Sequence, residues 1–264
     1  MTGIRDATTE QNTANKNFKR LLTCDLYPIR YLPIQKCGCT FVKNILWNLQ
    51  FGCPHKNPAR VHDDEGKLPY IEMRPENAAK ISREEMAFTV IRKPADRFVS
   101  LYFDKIVGGG RFRFPPLASL LENKKGLNSY ARSPEEHRMN CEVLLDWIEE
   151  NISSGTDIER NPHWMPFSRK AKISVKFKLK VLLTTNLSHQ LTNVLSPEVL
   201  ALTPSLSRIE TNASVQPVPA SDVLSRDLKR KIKEIYYDDH DAYEKTRDHW
   251  KRTKEPPRAN EIWK

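Results

Sequence analysis

No stretch of the 264-residue chain holds eighteen consecutive apolar residues, so the sequence offers no helix able to span a bilayer. Met1 to Lys19 is polar and lacks an apolar signal core, which points to a soluble, cytoplasmic protein. Cysteine is scarce: Cys24, Cys37, Cys39, Cys53 and Cys141 are odd in number and form no small disulfide framework. A reduced compartment follows. Cys37-Gly38-Cys39 is too tight for a Cys-x-x-Cys zinc half-site and no second pair exists to complete one, so no metal is expected. Also missing is any G-x-x-x-x-G-K-[ST] run, which ranks a kinase-like phosphate loop low. There is no internal repeat.

What the chain has in surplus is positive charge. Lys plus Arg outnumber Asp plus Glu 43 to 33, a formal net charge of +10. Such a balance favours anionic ligands: a nucleotide, an acidic glycan, nucleic acid or a membrane surface. It also fits a merely soluble basic surface.

Two short segments sharpen this. Tyr31-Leu32-Pro33-Ile34 reads as a strand, and Thr40 to Leu49 carries apolar residues at 41, 42, 45, 46 and 49, the pattern of one helical face. Between them lies Gln35-Lys36-Cys37-Gly38-Cys39-Thr40. A loop so placed aims backbone N–H groups and the positive end of the helix dipole at one point, where Lys36 adds a charge and Thr40 a hydroxyl. An anion is the natural occupant. The second segment repeats the logic: Ala87 to Ile91 reads as a buried strand, and Phe98, Leu101, Tyr102 and Ile106 form the stripe of a following helix. Pro94 suits its first turn, and Arg92 with Ser100 could converge on a second phosphate.

These residues resemble the membrane-associated type of carbohydrate sulfotransferases that use 3'-phosphoadenosine 5'-phosphosulfate (PAPS). In that family the 5'-phosphosulfate loop reads Pro-Lys-x-x-Cys-Thr or Pro-Lys-x-Gly-x-Thr, and the 3'-phosphate element Arg-x-Pro-x-x-Arg-x-x-Ser. Lys36, Cys39 and Thr40 match the first pattern, with Gln35 in place of the proline; Lys43 matches a basic residue that often follows. Arg92, Pro94, Arg97 and Ser100 match the second in full. His163-Trp164-x-Pro166, Asn212-Ala213-Ser214 and Ile235 to Asp239 resemble later family segments. The segment around 168 lacks the cysteine of many animal members. The resemblance implies PAPS as co-substrate, held by Lys36, Cys37, Gly38, Cys39, Thr40, Lys43, Arg92, Ser100, Asn212 and Ser214, with no metal. It further implies a carbohydrate or glycolipid acceptor rather than nucleic acid. Animal members are anchored in the Golgi by one transmembrane helix; a chain without one is expected to be a bacterial-type cytoplasmic enzyme, with a peripheral membrane protein or a trimmed Golgi form as the alternative.

Strands alternating with helices predict an α/β fold with a mostly parallel sheet covered on both faces; the resemblance makes it a P-loop-like three-layer fold. Residues 21–251 are expected as a single domain between tails at 1–20 and 252–264. Residues 53–80 read as an irregular polar excursion. Gly108-Gly109-Gly110 ends the helix after Pro94 and begins a basic loop whose Arg111 and Arg113 suit substrate contact. Ser133-Pro134 signals a helix over Glu135 to Ser153. Lys180 to Thr185 reads as a strand, Leu187, Leu191, Val194 and Leu195 as a helix stripe, and Asp222 to Trp250 as one long amphipathic helix.

Sulfuryl transfer needs a cation for charge developing on the leaving phosphate, a base for the acceptor's proton, and alignment of both substrates. Lys36 suits the first role. A histidine suits the second near neutral pH. His62 lies between the phosphate elements, where several family members place a catalytic histidine, with Asp63 or Asp64 to orient it; His163 and Glu65 are the other candidates. A non-catalytic nucleotide- or nucleic-acid-binding protein stands as the alternative function.

Overall fold

The computed structural model describes residues 20–84, 86–107, 114–153, 160–203 and 217–263. They fall into two compact units. The first comprises Met1–Ile91, Phe167–Asn212 and Ala242–Lys264, the second Arg92–Pro166 and Ala213–Asp241.

The first unit is organised by a five-stranded sheet: β1 (Arg20–Thr23), β2 (Arg30–Leu32), β3 (Tyr70–Glu72), β4 (Ala87–Ile91) and β5 (Lys180–Leu183), in the order β3-β1-β2-β4-β5. Its centre is parallel, with Tyr31 opposite Phe88 and Thr89 opposite Val181. β1 runs antiparallel to both neighbours. Because successive side chains alternate faces, the sheet has two apolar sides. On one, Leu22, Tyr31, Phe88, Val90 and Leu182 pack with Phe41, Val42, Ile45, Leu46 and Leu49 of the Cys39–Phe51 helix and with Leu187 and Leu191. The other is divided between Leu21, Leu32 and Ala87, which meet Ile81 and Phe177, and Ile91, Val181 and Leu183, which meet Phe167, Ala171, Ala242 and Ile262. Helical material thus covers both faces, as the strand–helix alternation predicted.

Packing, not capping, holds the Cys39–Phe51 helix. Its N-cap Gly38 has no capping side chain, its first turn holds no acid and its last turn no base. A good cap contributes about 1 kcal/mol, whereas each fully buried Val, Leu, Ile or Phe contributes about 2 kcal/mol, and this helix buries five side chains of those kinds.

The second unit is helical. Pro94–Leu101 continues as a π-helical turn over Tyr102–Val107 and packs through Phe98, Leu101, Tyr102 and Ile106 with Leu144, Leu145 and Ile148 of the Pro134–Asn151 helix. That helix starts at the predicted signal: Ser133 accepts from Glu136 N–H while the Glu136 carboxylate accepts from Ser133 N–H, a capping box.

Three expectations change. The single helix over Asp222–Trp250 is three: Ala220–Val223, Arg226–Ile235 and Tyr237–Thr253. Ser225 caps the second by accepting from Leu228 N–H at 3.1 Å, and Tyr236 leaves helical backbone where its hydroxyl donates to the Trp164 carbonyl at 2.7 Å. The polar stretch 53–80 contains 3-10 turns, β3 and the Pro75–Ile81 helix. Residues 252–264, expected as a tail, carry the Ala259–Ile262 helix and bury Ala259, Ile262 and Trp263. Pro257–Ala259 also lines the outer edge of β5: Val181 N–H donates to the Pro257 carbonyl and Ala259 N–H to that of Leu179, each at 2.8 Å.

Candidate active site

The loop between β2 and the Cys39–Phe51 helix is shaped by two left-handed residues, Lys36 (φ 64°) and Gly38 (φ 72°). For glycine this costs little; for lysine it costs about 1–2 kcal/mol. Gly38 is fixed by space as well, since a Cβ there would meet Leu187 Cδ2 at 3.2 Å and Thr184 Cγ2 at 3.6 Å. Two left-handed residues on either side of Cys37 turn the chain tightly just ahead of the helix start. Cys37 is tucked into the core, with its N–H given to the Ile34 carbonyl at 3.2 Å. The helix N-terminus adds its partial positive charge, and the acid-free first turn leaves that charge uncompensated by the helix's own side chains.

Beside the loop, the structure brings four predicted residues together. Thr40 Oγ1 lies 2.8 Å from His62 Nε2, and Lys43 Nζ lies 2.7 Å from His62 Nδ1 and pairs with the Glu65 carboxylate. The Lys43 side chain is only 4% exposed. An ammonium group can only donate, so Nδ1 accepts, and the neutral imidazole carries its proton on Nε2 and gives it to Thr40. Thr40 keeps its own hydroxyl hydrogen to offer elsewhere. Asp63 pairs with Arg60 at 3.0 Å, and Asp64 pairs with His55 at 3.0 Å and Lys67 at 2.8 Å.

The second predicted phosphate element belongs to the other unit. Arg92 follows β4 half-buried, and Ser100 is buried in the Pro94–Leu101 helix. Arg97 is an organiser: its Nη2 donates to the carbonyls of Pro162 (3.0 Å), His163 (3.2 Å) and Met165 (2.9 Å), and Nη1 stands 4.0 Å from Asp239, which is fully buried. The segment so clamped presents His163, half-buried. Asn161 Oδ1 accepts from His163 N–H at 3.0 Å and lies 2.7 Å from His163 Nδ1. An oxygen there requires a proton on Nδ1, so in the neutral ring the lone pair is on Nε2.

The family model described as the sulfotransferase family matches residues 19–246. The chain belongs to the sulfotransferase family. No curated protein and no solved structure matches it significantly. Both phosphate-element candidates and both histidines of this sulfotransferase lie inside the matched span. Arg111, Arg113, Asn212 and Ser214 lie outside the described residues. Among the described residues no helix is long and apolar enough to cross a membrane.

One residue escaped sequence reasoning. Lys170, in the short Ser168–Ala171 helix, is 4% exposed. Burial, then the neighbouring Lys43, pushes its ammonium down to about 8, against the opposing pull of Glu65 and Cys39. Nothing in Phe167-Ser168-Arg169-Lys170 distinguishes this lysine from a solvated one. The only cue was its spacing with Phe167 and Ala171, which share the buried side.

Proposed function

We propose that this sulfotransferase moves the sulfuryl group of PAPS to a hydroxyl of a carbohydrate or glycolipid acceptor. The observation that carries this reading is the Lys36–Thr40 loop, where two left-handed residues and an acid-free helix start make a site for an anion. PAPS supplies an activated sulfate whose leaving group is a phosphate. In this reading the loop N–H groups, Lys36 and the Thr40 hydroxyl bind the 5'-phosphosulfate, and Lys36 stabilises charge that grows on the bridging oxygen. Arg92 and Ser100 bind the 3'-phosphate.

For the base, the two histidine tautomers differ. His62 meets Thr40 as a donor, and taking a proton at Nδ1 would set an imidazolium against the Lys43 ammonium. His163 holds its Nδ1 proton on Asn161 and carries its lone pair on Nε2, the state a general base requires. We therefore assign proton acceptance to His163 and loop anchoring to His62. Glu65 is engaged by Lys43 and is the weaker candidate.

Family membership supports transfer over a bare phosphate cradle. The test is incubation with PAPS carrying radiolabelled sulfate and a panel of glycans and glycolipids. Label should move to at least one hydroxyl-bearing acceptor with release of 3'-phosphoadenosine 5'-phosphate. Tight nucleotide binding with no transfer to any acceptor class would overturn it.

A further inference from the structure

The chain that leaves the Cys39–Phe51 helix at Gly52 turns back and follows the same helix toward its start. The contacts fall in register. The His55 ring meets Trp47 edge-on, with centroids 4.5 Å apart, and Asn44 Nδ2 donates to the Pro58 carbonyl at 2.9 Å. His62 then meets Thr40 and Lys43, and Glu65 pairs with Lys43. This excursion is also closed on itself, because the buried His55 places Nε2 3.0 Å from the Asp64 carboxylate. A carboxylate only accepts, so Nε2 keeps its proton. His55 Nδ1 faces Asn57, with the backbone N at 3.1 Å and the carbonyl oxygen at 2.6 Å. A neutral ring accepts from the first and a charged ring donates to the second, so the bond to Asp64 persists in either form.

Asp64 stands between His62 and Glu65, the two residues of the excursion that reach the start of the helix. Lys67, which also pairs with Asp64, is 65% exposed and held only through a screened surface contact, so the buried His55 is the firmer hold. Resting on the reading of the Lys36–Thr40 loop as the phosphosulfate site, we propose that His55 is a positioning residue for nucleotide binding. Through Asp64 it clasps the 53–68 excursion, which keeps His62 against Thr40 and Glu65 against Lys43. The Thr40 hydroxyl, accepting from His62 Nε2, is thereby turned so that its own hydrogen is offered to the anion. Without the clasp His62 leaves Thr40, and its ring exchanges tautomers.

The test reads the His62 ring directly, by NMR of histidine labelled at both ring nitrogens in mildly alkaline buffer. The wild-type His62 signal, identified by its loss in His62→Ala, should show a protonated Nε2 and a bare Nδ1. In His55→Ala it should show the two tautomers averaged. By calorimetry His55→Ala should bind 3'-phosphoadenosine 5'-phosphate about tenfold more weakly. The double variant His55→Ala/His62→Ala should bind no more weakly than His62→Ala alone, because both act through one contact. His55→Gln, whose amide still donates to Asp64, should restore the wild-type affinity and the His62 signal, and Lys67→Ala should keep both. An unchanged His62 signal in His55→Ala, additive losses in the double variant, or a His55→Gln as weak as His55→Ala each overturns the proposal and leaves the loop assignment standing. Should His55→Ala fail to fold, Asp64→Ala breaks the same contact and is read by the same outcomes. No binding of the nucleotide by the wild type overturns the loop assignment, while the His62 signal still decides the clasp.

Discussion

Arg97 donates to the carbonyl of His163 at 3.2 Å, so a residue of the phosphate-element motif is bonded to backbone of the histidine segment. Its guanidinium also meets two further carbonyls and the buried Asp239. Arg97→Met should lower stability by about 3–5 kcal/mol, the usual cost of removing one partner from a buried charge pair. Urea unfolding measures this. A loss below about 1 kcal/mol would mean the clamp is not structural.

His163→Ala should lower the rate about a hundredfold or more, leave nucleotide affinity unchanged, and erase the acidic limb of the pH–rate profile. Asn161→Ala should lower it less, by freeing the tautomer. His62→Ala should mainly weaken nucleotide binding. A normal His163→Ala rate beside an inactive His62→Ala that still binds nucleotide would reverse the assignment.

Lys36→Ala should cut turnover far more than nucleotide affinity, by about a hundredfold or more, if its main partner is charge that grows in the transition state. Single-turnover kinetics separates the two effects. Equal losses in both would make it a ground-state ligand only.

Arg92→Ala should weaken binding of 3'-phosphoadenosine 5'-phosphate by about 2 kcal/mol, the scale of a charge-assisted hydrogen bond. Calorimetry with adenosine 5'-phosphate as control should show no such loss. Unchanged affinity for the 3'-phosphorylated nucleotide removes Arg92 from the site.

Lys170 has a stability consequence too. Folding lowers its proton affinity from the ordinary 10.5 to about 8, so between those values the unfolded chain binds more protons and stability rises with pH; below 8 the penalty is complete. At about 1.4 kcal/mol per unit, the penalty is about 3 kcal/mol. Lys170→Met should therefore be more stable than wild type at pH 7, with the gap narrowing toward pH 10. A gap independent of pH would contradict this.

The parts legible in sequence were those with local chemistry. Pro94, Ser133 and the apolar stripe at 41, 42, 45, 46 and 49 each marked an element the structure contains. The Lys36–Thr40 loop stood out because a strand, a short polar turn and a helix face were consecutive. β1 escaped because Leu21 and Leu22 are too short an apolar run to register, and its pairing with β3 crosses a polar stretch. The break at Tyr236 is set by a hydroxyl reaching Trp164, a contact no helical period encodes. Lys170 was hidden for the same reason: burial of a lysine is decided by residues distant in the chain.

The Pro257–Ala259 segment along β5 has a bearing on solubility. β5 is an outer strand, and a bare outer strand is a template for pairing with other molecules. By occupying the N–H of Val181 and the carbonyl of Leu179, the segment blocks that template and pins it with the buried Ile262 and Trp263. Shortened chains ending near Thr253 would lose both the cover and the anchor. They are expected to self-associate through β5 even where the nucleotide loop is untouched.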